Sequence, residues 1–340
     1  NFLSNWPISS FSDVGYTIRS IHMSNNLLEY LDSKMYGNAQ YLTELNLSQN
    51  KIKILPDNTF KTLSNLAFLD MSHNFLVDAN FQELLVDMKN LKTLKLKSAG
   101  ILNISIMCLN NLMEIDLSGN LVSETSLKIK DLKNLRKLIV SENYIVNFTK
   151  FVQNLPTSLN HLKKKKNPIE EFKVQDFMSI KYLEILEMNK LNLKNNKVDF
   201  TYLKNLRILK INIELCYIAT QLKSLSRIYL FVDDFKINDK YLMKLKNLKL
   251  NHIEITGKNL KVIEFKSFHS FKRIRNLKIV IRETSIKDLP ANLFDLGLIP
   301  NLFIELINNT FMTQLNSNVF YPNVSIWSKF GTRNFIGGIA

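Results

Sequence analysis

The chain has 340 residues, 46% of them hydrophobic and 22% charged, with a formal net charge of +15 and two cysteines. That composition can bury a continuous core and excludes a disordered chain, and no stretch approaches the roughly 18 apolar residues a membrane-spanning helix needs. The charge arises with a general richness in Lys, Asn and Ile; without a helix-turn-helix, zinc-finger or RNA-binding aromatic motif it predicts no nucleic-acid partner, only weak attraction to anionic surfaces.

Residues 1–17 read as a partial repeat or edge. Neither an initiator Met nor a basic-then-apolar leader opens the chain, as expected of a fragment or a processed segment. From Ile18 onward one spacing recurs, and its cleanest copy is Leu42-x-x-Leu45-x-Leu47-x-x-Asn50-x-Ile52-x-x-Leu55-Pro56-x-x-x-Phe60-x-x-Leu63. The first apolar residue of each copy is Ile18, Leu42, Leu66, Leu91, Leu112, Leu135, Leu159, Leu183, Leu206, Leu225 and Leu250, mostly 23 to 25 residues apart. Two looser copies come next, around Ile279 and Ile281 and around Ile304 and Leu306, so residues 18–315 form a repeat array of about 12–13 units. No Gly, Pro or Ser-rich linker interrupts it, which predicts a single domain. Residues 316–340 follow the array as a C-terminal segment.

Each copy divides its labour. The x-Leu-x-Leu-x stretch alternates with period 2, so it predicts a short strand with leucines inward and the intervening residues outward. The ninth position calls for Asn, whose amide both donates and accepts and can turn the chain off the strand. Asn26, Asn50, Asn74, Asn120, Asn143, Asn167 and Asn309 fit; Ala99, Leu191, Glu214, Asp233, Lys258 and Thr284 do not. An unsatisfied buried backbone group costs about 1–3 kcal/mol, so the second half is expected to be less regular. Lys164 takes an inward leucine position, which reads as a locally degraded repeat, with a packed stem and snorkelling ammonium as the alternative.

The fold these units predict is a leucine-rich repeat horseshoe, an α/β solenoid with a parallel β-sheet on the concave face and loops or short helical turns on the convex face. The convex pattern Leu55-Pro56-x-x-x-Phe60-x-x-Leu63, repeated at Ile286-x-x-Leu289-Pro290-Ala291-Asn292-Leu293-Phe294, resembles the extracellular class shared by Toll-type receptors, proteoglycan cores and neuronal adhesion proteins. The run from Ile279 to Pro290, through Ile304–Asn309 to Val319-Phe320-Tyr321-Pro322-Asn323-Val324-Ser325-Ile326-Trp327 and Gly331-Thr332-Arg333, is similar to the last repeats of chaoptin-like and artichoke-like proteins. The resemblance implies a secreted or membrane-anchored protein of cell adhesion or matrix organisation, with a cysteine-rich cap beyond this point. Rival expectations are the ectodomain of a Toll-type signalling receptor and an intracellular leucine-rich repeat scaffold.

Candidate sites emerge from the outward strand positions. Early repeats present small and acidic residues; later ones present basic and aromatic residues, among them Lys163, Lys165, Lys210, Arg227, Tyr229 and Phe231. Tyr, Phe and Arg fit buried anchors of protein interfaces, so Arg227, Tyr229 and Phe231 are the expected partner-contact cluster. The partner is expected to be a protein, a second copy of the same family included, with any membrane attachment through segments outside this chain. Glycosylation sequons occur at Asn46, Asn103, Asn147, Asn308 and Asn323, of which Asn103, Asn147 and Asn323 fall in expected loops. Cys108 and Cys216 stand too many repeats apart to pair and read as buried free thiols. His22, His73, His161, His252 and His269 are scattered, and no Gly-x-Ser-x-Gly or phosphate-cradling loop occurs, so no catalysis, metal or cofactor is expected.

Overall fold

The computed structural model describes residues 2–6, 16–107, 109–169, 172–188, 199–271, 274–294, 299, 301–309, 311, 312, 315 and 317–319. Two compact units divide the chain, with the boundary at Leu183 and Glu184. In the first unit the strands are β1 (Ser20–His22), β2 (Glu44–Asn46), β3 (Phe68–Asp70), β4 (Thr93–Lys95), β5 (Ile104–Ser105), β6 (Glu114–Asp116), β7 (Leu127–Lys128), β8 (Lys137–Ile139) and β9 (His161–Lys163). β1, β2, β3, β4, β6, β8 and β9 pair in parallel, one per repeat, while β5 and β7 pair separately.

Register places equivalent leucines side by side. Leu45, Leu69, Leu94, Ile115, Leu138 and Leu162 form one buried file across the sheet. Ile52, Phe60, Leu63, Phe81 and Leu84 close the interior from the opposite side, partly through α1 (Phe81–Leu84) and, further on, α2 (Phe148–Gln153). Each buried Leu or Phe contributes about 1.5–3 kcal/mol relative to exposure, and a repeat can shield its own set only against its neighbours.

The ninth-position asparagines form a ladder. Asn50 Oδ1 accepts from Leu28 N at 3.1 Å, and Asn50 Nδ2 donates to Met23 O at 2.8 Å and Leu47 O at 3.0 Å. Asn74, Asn143 and Asn167 repeat the pattern one repeat at a time, each accepting from a backbone N–H of the preceding repeat. Where Ala99 lacks an amide, Leu76 N donates to its backbone oxygen at 2.7 Å, and Asn120 Oδ1 accepts from both Ala99 N and Ile101 N. The residue before each asparagine takes left-handed backbone: Asn25, Gln49, His73, Glu142 and Lys166 have φ of 54° to 59°. Gly119 fills that place at φ 71°, and a Cβ there would meet Ser98 Oγ at 2.6 Å.

The second unit contains β10 (Ile185–Glu187), β11 (Ile208–Asn212), β12 (Arg227–Phe231), β13 (Lys236–Ile237), β14 (His252–Thr256), β15 (Val262–Ile263), β16 (Asn276–Arg282) and β17 (Asn301–Ile307). β10, β11, β12, β14, β16 and β17 pair in parallel, and β13 with β15 forms a second small ladder. A 3₁₀ segment, Ile213–Gln221, and the short α3 (Asp239–Met243) line its interior.

The second half is less uniform than the first: its main-sheet strands run three residues in β10, five in β11, β12 and β14, and seven in β16 and β17, against three for each main-sheet strand of the first unit. Strand length does not follow the asparagine alone, since β17 runs seven residues in the repeat that keeps Asn309. One expectation needs correction: the repeat at Lys164 is not degraded. β9 pairs in register with β8, and Lys164 is buried, its ammonium lying over the rings of Phe148 (5.0 Å) and Phe172 (4.7 Å) instead of reaching water.

Cys216 is free and buried, its thiol donating to Tyr241 O at 3.0 Å; Cys108 and Leu191 lie outside the described residues. Among the described residues no helix is long and apolar enough to cross a membrane.

Candidate functional site

Alternation along β11, β12, β14 and β16 sends Leu209, Ile228, Ile253 and Ile279 inward and leaves their neighbours on the outward sheet face. Register then sets the site. Glu187, Lys210, Tyr229 and Glu254 stand side by side in one row; Ile208, Arg227, His252 and Lys278 form the row beside it; Phe231, Thr256 and Arg282 form the third.

The central row is a chain of contacts. Lys210 Nζ sits 3.1 Å from Glu187 Oε1 and 4.7 Å from the centre of the Tyr229 ring. The Tyr229 ring lies 5.0 Å from the His252 ring; His252 Nε2 is 3.6 Å from Glu254, and Arg282 Nη1 is 3.4 Å from the same carboxylate. Burial pushes the Glu254 carboxyl up, yet His252 and Arg282 together hold it below the ordinary carboxylate value. Lys278 pairs with Glu305 at 2.8 Å. The basic character expected of this face is therefore largely neutralised by carboxylates from adjacent strands. Arg227 is the exception: it is exposed, and its row neighbours Ile208 and His252 offer it no carboxylate.

Arg227, Tyr229, Phe231 and Lys210 thus share one face of the second unit, with the tyrosine held between a cation and an imidazole. Lys163 and Lys165 belong to the first unit; Lys163 faces Ile139 across the register, and Lys165 N donates to Ser141 Oγ at 3.1 Å. The carboxylates Glu187 and Glu254, absent from the expected cluster, are as central to the row as the residues in it. Glu187 on β10 is an outward strand position by spacing alone; what register adds is its place, with Glu254 of β14, in the row of Tyr229.

On the first unit the acidic and small residues have local work. Asp70 and Asp116 accept from the backbone N–H of Ser72 and Ser118, each at 2.9 Å, and Asn46 accepts from Ser48 N at 3.0 Å. These turns explain the recurring Asx-x-Ser without invoking a nucleophile. Register also brings a carboxylate to a histidine that sequence spacing leaves alone: His22 Nε2 lies 3.7 Å from Glu44 and 2.7 Å from Ser20 Oγ. All three are solvent-facing, and no group of three or more metal-ligating side chains occurs among the described residues.

Asn103 is exposed before β5. Asn147 is also exposed, but it caps α2, its Oδ1 accepting from Lys150 N at 2.9 Å, which leaves Nδ2 outside the cap. Asn323 and the glycines from Gly331 onward lie outside the described residues.

The leucine rich repeat family pattern matches residues 17–76. Osteomodulin from Rattus norvegicus is 27% identical over 214 residues, which cover 60% of this chain and 49% of that protein. Chaoptin from Tribolium castaneum is 25% identical over 351 residues, covering 88% of this chain and 43% of that protein. The chain therefore spans about half the length of the curated relatives it matches. Among solved structures, the TLR13–ssRNA13 complex superposes with a TM-score of 0.62 at 21% identity, over 91% of this chain and 48% of that one, a likeness of fold. Repeat spacing, asparagine ladder and parallel strands agree with these comparisons: the chain folds as a leucine-rich repeat solenoid and is similar in sequence to chaoptin and osteomodulin.

Proposed function

We propose that this chain is a non-enzymatic binding module of the cell surface or extracellular matrix that holds a protein partner on the outward sheet face of its second unit. One observation carries the reading: Tyr229 is braced by Lys210 and His252 beside an exposed Arg227 with no carboxylate in its row, and Phe231 is next along the same strand. Aromatic and arginine side chains held in place before contact lose little freedom on binding, which favours them as anchors. A guanidinium without a carboxylate of its own suits an acidic side chain on the partner, through two parallel hydrogen bonds. Lys163 and Lys165 are separate candidate contacts on the first unit. Osteomodulin and chaoptin among the relatives support the extracellular setting and the adhesive role.

The reading is tested with the chain displayed on beads, scored for clustering and for capture of soluble cell-surface ectodomains. Replacing Arg227, Tyr229 and Phe231 together by alanine is expected to weaken the captured interaction at least tenfold, or about 1.4 kcal/mol. Unchanged capture would remove the site.

A further inference from the structure

One flank of the first unit carries an apolar patch that neither the core nor the sheet face uses. Immediately after the asparagine ladder, four consecutive repeats leave Phe75 and Val77, Leu102, Leu121, and Tyr144 and Val146 on the surface. Phe75 and Tyr144 are 58% and 59% exposed, and the other four 42% to 47%. Soluble proteins rarely leave six such side chains together, and these leave on the order of 500 Å² per copy at the upper end of ordinary surface patches.

Their arrangement points to the occupant. Backbone bonds from Phe75 N to Ile52 O, Leu121 N to Ile101 O and Tyr144 N to Val122 O fix the same register in each repeat. The first position after the ladder therefore reads Phe75, Gly100, Leu121, Tyr144 across the four repeats; the third reads Val77, Leu102, Ser123, Val146. Reversing either file pairs aromatic with aromatic, valine with valine, and each leucine with a glycine or serine. A two-fold axis lying in the flank, parallel to the run from each first position to its third and midway between the repeats of Leu102 and Leu121, performs that reversal on a second copy. Phe75 then meets Tyr144, Val77 meets Val146, Leu121 meets Gly100 and Leu102 meets Ser123. Every bulky residue finds a matching side chain or a vacant place, as an isologous interface requires.

The rim agrees. The positions just before the ladder become partners in the same way, which sets exposed His73 against Glu142 of the other copy, a carboxylate that also pairs with Lys166 of its own chain at 2.7 Å. An open groove of about 670 Å³ beside Leu121, Tyr144 and Pro168 lies where Phe75 of the second copy would seat.

We propose that the first unit self-associates through this flank as a two-fold dimer, with the Phe75–Tyr144 pairs at its two ends. Two such patches with their rims reach the roughly 1,200–2,000 Å² of a specific interface. The proposal is independent of the binding role of the second unit.

Sedimentation of the full chain tests it first. The mass is expected to rise from 39.6 kDa toward twice that value with concentration. Phe75→Glu and Tyr144→Glu should each hold the chain at one copy with an unchanged circular dichroism spectrum, while Lys61→Glu, exposed and outside the patch, should dimerise normally. Register is tested by cysteine pairs. Phe75→Cys with Tyr144→Cys in one chain should give covalent dimers on mild oxidation, because the two positions lie three repeats apart within a copy, roughly 14 Å, beyond disulfide reach. Phe75→Cys alone should not. One-copy mass throughout the micromolar range, dimers indifferent to Tyr144→Glu, or equal cross-linking by single and double cysteine variants would each overturn the proposal.

Discussion

Lys164 occupies a place built for leucine, 1% exposed, with no hydrogen-bond partner for its ammonium among the described residues and the rings of Phe148 and Phe172 around it. Attraction to the aromatic faces offsets part of the cost of removing the charge from water, up to about 2 kcal/mol. The remainder shows as a lysine pKa lowered by burial to about 7. The folded state thus binds its proton less tightly than the unfolded chain, whose lysine keeps the ordinary value of 10.5. The penalty is full below about pH 7 and is relieved as pH rises toward 10.5, so stability should climb across that window. Lys164→Met should raise stability at pH 6 by on the order of 4 kcal/mol and abolish the climb. Urea midpoints of the two proteins between about pH 6 and 10 check this; parallel curves would show that the lysine reaches water. The thiol of Cys216, pushed up to about 12 by burial, belongs with the inert interior.

At the scale of one repeat, the turn after each strand depends on a single amide. Asn143 donates to Leu117 O and Val140 O and accepts from Val122 N, all buried. Asn143→Ala strands these backbone groups and should cost about 3 kcal/mol. Asn103→Ala, on an exposed loop, should be neutral in the same thermal melts; equal losses for the two would refute the ladder's role. The strand and the ladder were legible in sequence because both repeat with one spacing. The behaviour of a repeat that lacks its asparagine was not legible. At Ala99 a backbone oxygen substitutes, an outcome that depends on which neighbour is free to pair. Lys164 was half legible for a related reason: its place inside was plain from spacing, but the two rings that accept it come from α2 and from Phe172, outside its own strand.

Across the whole molecule, inward positions carry stability and outward positions are free to carry recognition. Leucine spacing reveals the first set almost completely. The second set is only half visible: Glu187, Arg227, Tyr229 and Phe231 can be picked as outward strand positions, whereas their pairing with one another and with His252 and Glu254 comes only through lateral register. The apolar flank was hidden for the same reason, since it contributes one or two residues per repeat and no local run. The division predicts that binding and folding separate cleanly. The decisive measurement is partner affinity and melting temperature on one preparation of the Arg227, Tyr229 and Phe231 triple alanine variant. Affinity should fall at least tenfold while the melting temperature stays within a degree or two of the parent, as expected for surface substitutions. Full affinity, or a loss of affinity that tracks a loss of folded protein, would contradict the account.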